Sequence, residues 1–494
     1  MSESALTHKT PPGTYRCSWN LSKPADDATW QSEGEITLQG GRRPFGGVYG
    51  RAPIHFNRDA AGRITGYGAP QNFIYPTVSG TLANGSDVVL VDARLRVWSP
   101  DRNTGFSMTG PNARISAWAA LTGRGTPTTP DVLVDSGVIQ LRHLDAFVAR
   151  PPIEETSYPA GLYEDDDPSF QMKFRKDSCQ TWSDDHAEVE VEYRISAGVN
   201  GGYHFHVTFS PTVRVTLKAP VPIKDFFTSW VLPLHGLVSA ATGEDEDITY
   251  WSCSPLIDGG DEIPSTRRQF EVFTSGVTQE PYASENSIPD KHISAIRLGE
   301  GESLLLLLRR WQSLQHEQNP ILNTYDIQSL GPEQAPRARF LLLVQALEGL
   351  CGHEKRLSGR WTAFTEKRER ILSDCREALS SRDFKFLDYW MPNTPYNLED
   401  ALTEMLAALP IDLMPELAAS ALVKGVIATV EKVTTTVGAL RYVRNQLSHG
   451  TATFDLDELD VVATVLARAV RGHLLRLLEA SVAAQERVLS PPKN

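Results

Sequence analysis

The chain has 494 residues, of which 41% are apolar and 22% charged, with a mean hydropathy of −0.27. That balance belongs to a globular protein with room for two or three cores and excludes a disordered chain. The net charge of −13 argues against a polyanion-binding surface over most of the molecule.

The charge is uneven. Residues 336–494 hold 20 basic and 20 acidic side chains, so the whole deficit falls on the first 335 residues, and a contact with a polyanion is expected in the C-terminal third. The opening MSESALTHKTPPG has no apolar signal-peptide core, and no run approaches the roughly 20 apolar residues of a membrane span. A cytoplasmic protein without membrane contact is expected. Five scattered cysteines lack any CxxC pair and point to reduced thiols rather than a disulfide framework or a zinc site.

Residues 1–300 are dense in Pro and Gly and predict short strands with turns. In 186–195, Val189, Val191, Tyr193 and Ile195 alternate with Glu188, Glu190, Glu192 and Arg194, the period of a half-buried antiparallel strand. The same alternation recurs at 89–98, 203–209, 213–217 and 270–273. A sandwich-like or barrel-like region of two sheets is expected, with exposed acidic loops at 164–167 and 244–247 and a helix near 289–296. Gly40-Gly41-Arg42-Arg43-Pro44-Phe45-Gly46-Gly47 lacks the GK[ST] ending of a phosphate loop and reads as a turn. His204 and His206 lie two apart, on one strand face, with no third metal ligand in sight.

From residue 302 the period becomes helical. Helices are predicted over 304–315, from Pro336 through 339–350, and over 360–379, 397–409, about 415–448 and 457–488, the last opened by an Asp455/Glu458 capping box. The fold class is therefore α+β and multidomain: a β-rich region over 1–300, a helical linker over 301–335 and an all-α bundle over 336–490.

The informative segment is Leu440–Gly450, LRYVRNQLSHG. Arg444 occupies the place where the apolar stripe Val433, Val437, Leu440, Leu447 calls for a hydrophobe, and such a cation must meet an anion or water. Asn445 follows it, and His449 stands beside Gly450, the expected stop of the helix. His449 is about 140° further round than Arg444. The two meet only if His449 leaves the helix or a second copy of the segment faces it. Arg468 and His473 repeat the spacing inside the last predicted helix.

Arg444-Asn445-Gln446-Leu447-Ser448-His449 resembles the signature of HEPN (higher eukaryote and prokaryote nucleotide-binding) domains: Arg, four to six residues, then His. The run 340–350, FLLLVQALEGL, is similar to the opening helix of the ApeA-type branch, and strands at 78–82 and 88–92 resemble its β-rich partner domain. The resemblance implies a metal-independent endoribonuclease of bacterial antiphage defence. It would need no cofactor, act on RNA including tRNA, and work as a homodimer or higher even oligomer through the HEPN domain, in answer to a phage-derived trigger. It carries Arg444, Asn445 and His449 into the catalytic site. Imidazole serves as acid or base near neutral pH and Arg presents a fixed fork of donors to phosphate. Glu348, Arg441, Arg468 and Arg471 are candidate supporting residues. The alternative is a catalytically silent helical scaffold carrying a carbohydrate- or protein-binding β domain.

Overall fold

The computed structural model describes residues 5–23, 26–49, 57–66, 71–97, 113–127, 130–157, 171–200, 204–257, 269–281, 294–324 and 334–491. They divide into two compact units: residues 1–238, 246–293 and 298–305 form the first, and residues 239–245, 294–297 and 306–494 the second.

The first unit is antiparallel β. Strands β1 (Gly13–Lys23), β2 (Asp26–Leu38) and β3 (Phe45–Val48) precede a small hairpin of β4 (Asn57–Arg58) and β5 (Ile64–Gly66). Then come β6 (Gln71–Leu82), β7 (Asp87–Val97) and β8 (Ala113–Ser116). In the order β7-β6-β1-β2-β3-β8, with β8 back on β7, six strands close a barrel, which removes free edges. Its core holds Trp19, Leu21, Ile36, Leu38, Val78, Leu90 and Leu95.

One edge of β7 serves two partners. Asp87–Val91 pairs with β9 (Ala119–Gly123) and Arg94–Val97 with β8, the change falling at Asp92, which has φ 50°. Through β9 the sheet continues into β17 (Phe270–Thr274), β16 (Ile248–Pro255), β10 (Leu133–Leu141), β15 (His204–Pro222), β14 (Ala187–Asn200) and β13 (Gln180–Ser183). Strands β11 (Ile153–Ser157) and β12 (Gln171–Phe174) form a separate pair. The expected barrel-like form is present, but in place of two sheets the described strands make one continuous 13-stranded sheet and two separate two-stranded pairs; the alternation read at 186–195 buries Val189 and Val191 in β14 and leaves Ile195 exposed.

Several expectations are corrected. The β region also holds helices: α1 (Leu144–Val148), α2 (Ile223–Phe226) and α3 (Leu232–Thr242), the last two joined by the π-helical turn Phe227–Val231. Phe226, Trp230, Val231, Leu234, Leu237 and Val238 are buried at helical spacing, and the wider turn lies just before Pro233, which donates no hydrogen bond. The acidic run at 244–247 is not wholly exposed: Glu246 is buried with His143 Nδ1 at 3.1 Å. The run at 164–167 lies outside the described residues, as does most of the helix expected at 289–296, whose described part, 294–296, is not helical. His206 is exposed; the side chain of His204 lies outside the described residues, among which no three His, Cys, Asp or Glu are arranged to hold a metal.

The helices of the remaining chain are α4 (Leu304–His316), α5 (Pro320–Thr324), α6 (Pro336–Leu357), α7 (Arg360–Ala378) and α8 (Ser381–Trp390). They continue with α9 (Leu398–Ala407), α10 (Met414–Ala419), α11 (Ala421–Thr429), α12 (Thr436–His449), α13 (Leu456–Leu477) and α14 (Val482–Leu489). In the bundle α6 packs along α13 and against α5, α9 and α12. Its buried face, Phe340, Leu343, Val344, Leu347, Leu350 and Cys351, steps by three and four.

The long helix expected over 415–448 is three helices. Ser420 caps α11 by accepting from Val423 N, and Thr435 caps α12 by accepting from Gly438 N at 2.9 Å. Between them the β-branched residues Val430, Val433 and Thr434 leave the helix. The one expected over 457–488 is two, broken where Glu479 takes φ 57° and Ser481 caps α14. The break lets α14 fold back on α13, where a Cβ on Gly472 would stand 2.9 Å from Leu489 Cδ2.

Candidate active site

Helix α12 carries the motif. Its buried stripe is Val437, Leu440, Val443 and Leu447, so Val443 fills the seam that the sequence pattern assigned to Arg444. Arg444 stands at the margin instead, its side chain 35% exposed, on the side turned to α6. There Nη2 donates to Glu348 Oε2 at 3.4 Å, and Nη1 donates to Asn445 Oδ1 at 3.2 Å. Arg444, Asn445 and Glu348 therefore form one cluster, with the guanidinium fork oriented before any ligand arrives.

The helix stays regular through His449. Gly450 then takes φ 66°, ψ 25° as the left-handed cap, its N–H directed at the carbonyls of Gln446 and Leu447, and Thr451 N donates to Gln446 O at 3.1 Å. His449 is exposed at this end. Because it never leaves the helix, it points well away from Arg444, and one chain does not bring the two side chains together.

Sequence reading passed over Arg337. On the first turn of α6 it donates Nη2 to the carbonyl of Leu447 and adds a cation to the C-terminal end of α12. Its only sequence signal is its place directly after Pro336, at the opening of the helix that also carries Glu348. Arg441, by contrast, is turned to α9, with Nε 3.2 Å from Glu399 Oε1.

Arg468 and Arg471 are not on a solvated face. Arg468 is buried, donating to Leu489 O at 3.0 Å and to Glu416. Arg471 donates to the carbonyls of Ala240 and Ala241, both at 3.2 Å. Arg339 with Asp460 and Lys355 with Glu404 are, like Arg468 with Glu416, buried cations held by carboxylates of the same chain. A cation near an apolar seam thus has a common structural use in this bundle. Arg444 differs in its exposure and in its polar neighbours.

His473, the repeat of the spacing, is structural. It is fully buried; Nε2 donates to Met405 O at 2.9 Å and Nδ1 accepts from Arg476 Nε at 3.3 Å, which leaves no place for a second ring proton. Burial first, and the Arg476 charge second, push its pKa down to about 4. The folded pKa lies below the ordinary value near 6.5, so stability is lost as pH falls through 6.5 towards 4. At pH 5 the expected loss is about 2 kcal/mol relative to neutral pH. Thermal unfolding of the helical signal measures it, and in His473→Gln the part of the slope between pH 6.5 and 4 due to this residue disappears.

Residues 47–296 match the family model described as ApeA N-terminal domain 1. No curated protein and no solved structure matches the chain.

Proposed function

The chain belongs to the ApeA N-terminal domain 1 family, and from that premise we propose that it is an antiphage defence effector whose helical part is a HEPN-type endoribonuclease. The observation that carries this reading is the end of α12, where a half-exposed Arg444 is held by Asn445 and Glu348 and the final helical residue is an exposed His449.

RNA cleavage with these groups runs by internal transfer. The 2′-oxygen loses its proton to a base and attacks the adjacent phosphorus, and the bond to the 5′-oxygen breaks as that oxygen takes a proton from an acid. The products are a 2′,3′-cyclic phosphate and a 5′-hydroxyl. His449 does the acid or base work, Arg444 binds the non-bridging oxygens and the charge that grows on them, and Asn445 positions the guanidinium. The phosphate competes with Glu348 for Arg444. Since Arg444 and His449 of one α12 diverge, the reading requires two copies whose α12 ends meet, each supplying part of a composite site.

Incubating the full chain with labelled tRNA and single-stranded RNA in EDTA tests it. Cleavage leaving cyclic phosphate ends is expected, and intact RNA under every condition, with and without added divalent metal, overturns it. One observation favours a second reading, a catalytically silent scaffold: Arg444, although more exposed than Arg339 and Lys355, is like them paired with a carboxylate of its own chain. Under that reading Glu348→Gln lowers stability and nothing else.

A further inference from the structure

Helices α7 and α8 are joined by two residues and contain no buried residue. They hold each other. The half-buried Phe364, Arg368, Ile371 and Cys375 of α7 recur at helical spacing, as do Phe384 and Leu387 of α8, while Trp361 at the start of α7 meets Tyr396 and Arg356 instead. Arg368 donates to Asp388 Oδ1 at 2.6 Å and to Pro392 O at 3.2 Å, tying α7 to the end of α8. The other side of α8 is apolar and open: Phe386, Tyr389 and Trp390 are 66%, 78% and 67% exposed, with Tyr389 edge-on to Trp390 at a centroid distance of 5.4 Å and Phe386 tilted against Trp390 at 6.1 Å. Three large aromatics on a ten-residue helix that buries nothing are a poor surface for a solitary chain.

We propose that this face of the α7–α8 hairpin is covered by the same face of a second copy of the chain. Charge selects the occupant. Residues 360–390 carry seven basic and six acidic side chains, a nearly neutral mixture that does not track a polyanion and is complementary to itself. Along α8 the exposed Arg382 and Lys385 flank the exposed Asp383, so both signs stand beside the aromatic face and neither repels a second copy as a block of like charge would. Area agrees. At roughly 200 Å² per aromatic side chain, three residues about two-thirds exposed offer roughly 400 Å² per copy. A twofold contact counts that area twice, and the flanking Leu379 and Met391 bring it to the roughly 1,000 Å² of a specific interface. A segment without a core of its own needs a partner that is always present, which a second copy is. The contact is additional to the meeting of α12 ends and does not depend on the ribonuclease reading.

Light scattering on the full chain tests it, with the triple variant Phe386→Ser/Tyr389→Ser/Trp390→Ser beside wild type and circular dichroism to check folding. Wild type is expected at twice the 54.6 kDa of one chain, or a higher even multiple, and the variant at half the wild-type mass. If the triple variant is unfolded, Trp390→Ala alone is expected to weaken self-association at least tenfold across a dilution series. Wild type that stays monomeric at tens of micromolar overturns the proposal, as does a folded variant of unchanged mass. Unchanged mass with lost binding of single-stranded RNA, read by fluorescence anisotropy, assigns the face to RNA and also overturns it. A wild-type dimer that cleaves no RNA sinks the ribonuclease reading and leaves this one standing.

Discussion

His449→Ala is expected to lower RNA cleavage by 10²- to 10⁴-fold, the range over which a positioned acid or base contributes. Its melting temperature should stay within about a degree of wild type, because the ring is exposed at a helix end and holds no core contact. Arg444→Ala is expected to cost a similar factor, roughly 10²- to 10³-fold, by removing the donors to the developing phosphate charge. Arg444→Lys should recover little of it, since an ammonium cannot present two parallel donors. Addition of EDTA should change none of these rates. Mixing the two inactive variants separates composite from single-chain chemistry: if each site takes Arg444 from one copy and His449 from the other, mixed dimers regain one intact site and part of the activity. Full activity in His449→Ala sinks the assignment, and full activity in Arg444→Ala removes the guanidinium from it.

Trp19→Ala is expected to destabilise the barrel by about 3–5 kcal/mol, the usual result of emptying a large buried aromatic site. Trp19 is fully buried, and glycines make the room for its indole. A Cβ on Gly34 would stand 2.6 Å from Trp19 Nε1 and 2.3 Å from Gly47 O, and one on Gly80 would stand 2.8 Å from Trp19 Cε3 and 2.7 Å from Ser18 O. Two of those contacts are backbone and cannot turn aside, so Gly80→Ala is also expected to destabilise, through overpacking. Trp19→Phe should cost less than its lost volume suggests. Among the described residues the buried indole N–H has no hydrogen-bond partner, and Phe removes that donor. Urea unfolding followed by far-ultraviolet circular dichroism measures all three; a loss below about 1 kcal/mol in Trp19→Ala would show that the indole is not central to the barrel.

The two classes of structure were legible for different reasons. Strand alternation is a local pattern, so strands at 187–195 and 89–97 were legible from the residues alone, although Ile195 is exposed and Val89, Leu90 and Val91 are all buried, and the helices opened by Pro336 and stopped by Gly450 carried their own punctuation. The helix ends inside 415–448 and 457–488 did not, because Ser420, Thr435 and Ser481 are ordinary residues until their hydroxyls accept from a neighbouring N–H. The same holds for the helical stretch from Ile223 to Thr242, whose apolar spacing was hidden among strands.

At the motif, the chain itself determined the order Arg444, Asn445, His449 and Gly450 and the length of helix between them, and therefore the angle that separates the cation from the imidazole. The tertiary structure decided what each of them faces. It put Val443 rather than Arg444 into the apolar seam, set Glu348 and Asn445 on the guanidinium, and buried Arg468 and His473, which have the same spacing, against carbonyls and a carboxylate. Periodicity records which positions can share a face, whereas burial and charge pairing depend on residues brought from other helices, here α6, and no local pattern contains them.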